Sequence, residues 1–94
     1  MTKPFNVIWS HSAVETDLAQ IVVKAMEHGY PVADINRAMV DIDRLLSKRP
    51  DQEGESRSGH DRVLVLLPLA VVYQAYDDER IVYISEVHYS PRSS

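Results

Sequence analysis

The sequence has no cysteine and only three glycines among 94 residues. The first absence excludes disulfides, thiolate nucleophiles and thiolate metal sites. The second leaves no glycine-rich loop to cradle a phosphate on backbone N–H groups. A G-x-S-x-G nucleophile elbow is missing too, and "SRSG" lacks the strand-turn-helix setting that would expose its serine. His11, His28, His60 and His88 form no i, i+4 pair with one another and stand at no recurrent ligand spacing from a carboxylate, so neither a metal nor a cofactor is expected. The longest apolar run, Val63 to Tyr73, is interrupted by Pro68 and falls well short of the roughly 20 residues that cross a bilayer. The opening "MTKPFNVIWSHS" turns polar too soon for a secretory segment. A soluble cytoplasmic protein without membrane contact is the expectation.

An excess of positive charge is also lacking. Ten Lys and Arg stand against 14 Asp and Glu, a net charge of −4, and residues 1–47 and 48–94 are each slightly acidic. Proteins that hold nucleic acid gain most of their affinity by neutralising phosphates and releasing counterions, so a large RNA or DNA footprint is disfavoured. What is present is an ordinary globular composition, 45% apolar and 26% charged. A chain of this length supports one core, so a single domain over residues 1–94 is expected.

The apolar residues divide by period. Phe5 to Trp9 is a short β-prone run. Ser12-x-x-Glu15 has the spacing of a capping box and predicts a helix start. Val14, Leu18, Ile21, Val22, Ala25 and Met26 then make one stripe until Gly29 ends the helix. Pro31 suits the first turn of a second helix, where its missing N–H has no partner to lose. Ile35, Met39, Ile42, Leu45 and Leu46 give that helix its apolar face, and Pro50 stops it. The short "HGYP" link makes the two helices an antiparallel hairpin. Residues 50–61 read as a charged surface loop. Beyond it, Val63–Leu67, Leu69–Ala75 and Arg80–His88 read as three strands in a meander. The order β-α-α-β-β-β predicts an α+β two-layer domain, an antiparallel sheet packed against a helical hairpin, with Trp9 and Tyr30 in its core.

The segments "WSHSAVETDLAQI", "INRAMVDIDRLLSKRP", "GESRSGHDR" and "PLAVVYQAYDDERIVYISEVHYSPR", in this order, resemble the RelE/ParE superfamily of toxins from bacterial type II toxin–antitoxin pairs, often called plasmid stabilisation proteins. The resemblance spans nearly the whole chain. It implies a small growth-inhibiting protein silenced by a cognate antitoxin. One branch of the family consists of ribosome-dependent mRNA endoribonucleases and another, ParE, poisons DNA gyrase. The nuclease branch often carries an arginine on the strand occupied here by "LPLAVVY", and Ala70 stands at that place. With the acidic totals, this departure favours the ParE-like branch. A non-toxic relative serving as an interaction module is the further alternative.

The residues able to carry chemistry are few. Cleavage at a ribose 2′-OH needs a base, an acid and cations for the developing phosphate charge. His88 has the titration range for proton transfer, Tyr89 could stack on a base or reach phosphate, and Arg62 could clamp it. These three are the catalytic candidates under the nuclease reading, with Glu53 or Glu55 as a second acceptor. Arg57, Arg62 and Arg92 are the candidate contacts to a macromolecular target. In regular alternation Val82, Ile84, Glu86 and His88 share one face of the last strand, and Ile81, Tyr83, Ser85, Val87 and Tyr89 the other. Neither set is purely apolar, and His88 and Tyr89 point apart unless the strand is bulged.

Overall fold

A computed structural model describes residues 4–56 and 59–90 of the chain. Strand β1, Asn6–Trp9, leads into a helix that opens with a wide π-helical turn, Ala13–Leu18, and continues as α1, Ala19–Glu27. Helix α2, Val32–Lys48, follows, then a two-residue strand β2, Glu55–Ser56, and the meander β3, Arg62–Leu66, β4, Leu69–Tyr76, and β5, Ile81–Tyr89. The architecture is α+β, as the order of periods predicts.

Helical backbone begins at residue 11, and Ser10, not Ser12, caps it. The Ser10 hydroxyl is buried and accepts the Ala13 N–H at 3.0 Å, the third N–H of the helix and thus one of those without an intrahelical acceptor. Glu15 does not reach back to Ser12; it pairs with exposed His11 at 2.9 Å. The π-helical turn advances the buried face by an extra residue. Ala13 and Leu18 face the core while Val14 is 45% exposed and Met26 stands outside. Gly29 ends α1 at φ 71°, with the Tyr30 N–H returning to the Ala25 carbonyl at 2.8 Å, the closure that a left-handed residue allows. Helix α2 buries Ile35, Ala38, Ile42 and Leu46, with Met39 packed at the margin. Trp9 and Tyr30 are half-buried against the core.

The sheet has the order β1-β5-β4-β3-β2. It is mixed, not purely antiparallel: Asn6–Trp9 lies parallel to Ile81–Ile84, while every other neighbour is antiparallel. Parallel pairing needs a long crossover, and the helices and meander between β1 and β5 supply it. Strand β4 turns Leu69, Val71 and Tyr73 to the helices, β5 contributes Val82, Ile84 and Val87, and all six are buried. Leu67–Pro68, a cis peptide bond, makes the β3–β4 turn. No helix among the described residues is long and apolar enough to cross a membrane.

Candidate functional site

The pairing of β4 with β5 slips between Val72 and Tyr73, which face Glu86 and Ile84. Ser85 is therefore an extra residue, a bulge. Its hydroxyl donates to the Val72 carbonyl at 3.2 Å and accepts from Gln74 Nε2 at 3.3 Å, and its carbonyl accepts the Ser10 hydroxyl at 3.3 Å. The bulge explains the mixed faces of the regular alternation. Val82 and Ile84 before it, and Val87 and Tyr89 after it, all turn to the helices. Tyr83, Glu86 and His88 are left on the other, open face.

That open face reads as four rows across the strands. The first is Asn6, Ile81 and Tyr76; the second is Ile8, Tyr83 and Gln74. Glu86, Val72, Val63 and Glu55 form the third, and His88, Ala70 and Val65 the fourth. Ile8 and Tyr83 are each 39% exposed, Tyr76 47% and Val65 56%. Asp61 accepts from Gln74 Nε2 at 2.8 Å, which places a further carboxylate beside the second row. No described lysine or arginine belongs to a row. Lys24, Arg37, Arg44 and Lys48 are on the helices, Arg49 follows α2, and Arg80 lies over the Phe5 ring at 3.9 Å, against a buried residue of the core.

The sequence candidates do not gather on this face. His88 is exposed and pairs with Glu86 at 3.2 Å. Tyr89 turns the opposite way, stacked on His28 at 6.5 Å and edge-on to Tyr30 at 6.3 Å, and its hydroxyl is buried without a partner among the described residues. Arg62 also turns to the helix side: it donates to the Asp51 carbonyl at 2.7 Å, to the Gly54 carbonyl at 2.6 Å and, through Nε, to the Tyr73 hydroxyl at 3.3 Å. Two strands and three residues of register separate Arg62 from His88, or about 10 Å across and about 10 Å along the sheet. Glu55 is exposed on β2, three strands from β5. Arg57 and Arg92 lie outside the described residues.

The cluster around Arg62 reshapes the loop after α2. Tyr73 is buried and donates its hydroxyl proton to the Pro50 carbonyl at 2.7 Å, while the N–H groups of Gln52 and Glu53 both return to the Arg49 carbonyl. Residues 50–56 are thus tied down where a solvated loop was expected. Burial pushes the Tyr73 phenol above its ordinary range, and the Arg62 guanidinium offsets part of that rise. On the other side of β5, the edge beyond Ile84 has no strand neighbour among the described residues, and Asp17 from the π-helical turn accepts the Val87 N–H at 3.0 Å.

The rows themselves were missed in the sequence. The signal is there in Val63 and Val65 alternating with Leu64 and Leu66, and in Ser85 interrupting the apolar phase of β5.

No family model matches the chain, and no curated protein sequence matches it. A solved structure does: the toxin–antitoxin complex RelBE2 from Mycobacterium tuberculosis, aligned at a TM-score of 0.64 and 20% identity over 92% of this chain and 98% of that one. At that identity the likeness shows a shared fold.

Proposed function

We propose that this chain is the toxin of a type II toxin–antitoxin pair. In this reading it inhibits growth in the ParE manner, by occupying a macromolecular target, with DNA gyrase the candidate. A cognate antitoxin neutralises it. Similarity to a chain of a toxin–antitoxin complex supports a partner of that kind. The observation that favours occupancy over RNA cleavage is the open face, on which the described residues present, besides Asn6, Gln74 and His88, apolar side chains and carboxylates and no lysine or arginine. A scissile phosphate held there would meet negative charge where its transition state needs cations. His88 has Glu86 beside it, and Ala70 fills the register position opposite.

The test is induced expression in a bacterium, alone and with the neighbouring small gene, with plasmid supercoiling and mRNA 5′ ends followed together. Growth arrest relieved by the neighbour, with loss of supercoiling by purified gyrase and no new 5′ ends, is expected. Unchanged growth in both cases removes the toxin reading. New 5′ ends at fixed codon positions that vanish in His88→Ala assign the protein to the nuclease branch instead.

A further inference from the structure

We infer that the open face of the sheet is a seat for a cationic amphipathic helix, one whose apolar stripe is flanked on both sides by lysine or arginine. This deepens the proposed function, and rests on it, by giving the chemistry of the protein segment that the toxin engages. The third row carries the argument. Glu86 and Glu55 stand at its two ends, both exposed, with Val72 and Val63 as the floor between them. Three strand spacings separate the two carboxylates, about 14 Å, and an α-helix with its side chains is about 10–12 Å across. A helix laid along the strands would therefore rest on Val72, Val63, Ala70 and Val65 with one carboxylate at each flank.

The charges select the occupant. Nucleic acid is repelled by the same carboxylates. A second copy of this chain would bring a like-charged face against this one, with no described lysine or arginine to answer Glu55, Asp61 or Glu86. An acidic segment fails for the same reason. A cationic helix gains both apolar burial and charge complementarity, which speeds its encounter and fixes its orientation. The Ser85 bulge is what makes the face: without it Glu86 and Val87 would exchange sides.

The probe is a synthetic helical peptide of about 18 residues, some 27 Å long, with a leucine stripe bordered by lysines. It is compared with a Glu-for-Lys counterpart, with a scramble of equal composition whose stripe is destroyed, and with a single-stranded RNA oligonucleotide. Titrated into the purified full chain by NMR, the lysine peptide is expected to shift amides at Val63, Val65, Val72 and Glu86, and the three controls to leave them in place. Glu55→Lys/Glu86→Lys is expected to weaken binding about tenfold or more, while Glu15→Lys/Glu27→Lys, exposed on the π-helical turn and α1, with the same change in net charge, leaves it nearly unchanged. Equal binding of the scramble, equal weakening by both double variants, shifts confined to the helices, or concentration-dependent self-association through these rows each overturns the proposal. The readout is independent of growth: a harmless chain that still seats the peptide removes the toxin reading alone, and a toxic chain that ignores it removes this one alone.

Discussion

Tyr73 shows how much one side chain can hold. Its ring is buried under the helices, and its hydroxyl both donates to Pro50 and accepts from Arg62, which grips two further carbonyls. Gly54 belongs to the same contact: a Cβ there would sit 2.6 Å from the Tyr73 hydroxyl and 2.8 Å from the Val63 carbonyl. Tyr73→Phe is expected to cost about 1–2 kcal/mol, since it leaves a buried carbonyl and a guanidinium N–H without their partner. The effect depends on pH. Because the folded chain holds the phenolic proton more tightly than the unfolded one, the stability tied to that proton is intact below the ordinary tyrosine range and is lost as pH rises through the elevated folded value. Urea titrations at neutral pH and above pH 10 should therefore show the gap between wild type and Tyr73→Phe narrowing on the alkaline side. A constant gap would mean that the phenol titrates alike in both states. Arg62 offers a second measurement: Arg62→Ala should lower the melting temperature, because the guanidinium secures the loop, whereas an arginine reserved for phosphate would leave stability untouched.

Element starts and strand phases were legible only where one local rule governs them. The turn at Gly29, the stop before Pro50 and the apolar face of α2 follow from residue type and period alone. The first helix did not, since two serines compete for its cap and the choice depends on a distant strand: Ser10 is pinned by the carbonyl of Ser85, which sequence spacing does not reveal. The bulge at Ser85 and the π-helical turn at Ala13–Leu18 are shifts of one residue, and each moves side chains from one face to the other. His88, Tyr89 and Arg62 do not converge, because neighbouring residues of a strand point to opposite faces: Tyr89 and Arg62 lie on the helix side and His88 on the open side. The parallel pairing of β1 is likewise a property of the whole path. Substitution separates the two caps. Ser10→Ala should cost about 1–2 kcal/mol through loss of the helix cap and of the bond to Ser85, and Ser12→Ala less than about 0.5 kcal/mol. A larger loss from Ser12→Ala would restore the capping box to that residue.

The order β1-β5-β4-β3-β2 distributes stability across the molecule. Strands β5 and β4 are interior, bonded on both sides and carrying Val71, Tyr73, Val82 and Ile84, all fully buried. Strand β2 pairs only Glu55 and Ser56 with β3, and both are exposed. Strand β1 joins the sheet over four residues, from the far end of the sequence, so closing it costs the entropy of a long loop. Local opening takes the least buried, most exposed pairs first. Native-state hydrogen exchange should then rank amides in three tiers: Glu55–Ser56 opening with little free energy, β1 at an intermediate value, and Val71–Tyr73 with Val82–Ile84 only on global unfolding. Occupying the open face should raise protection along β3, where only the first two residues have β2 beside them, more than in β5, which is already bonded on both sides from Ile81 to Ile84. Uniform protection across the sheet would mean that β1 and β2 open only with the core, and that the edges of this fold are no weaker than its centre.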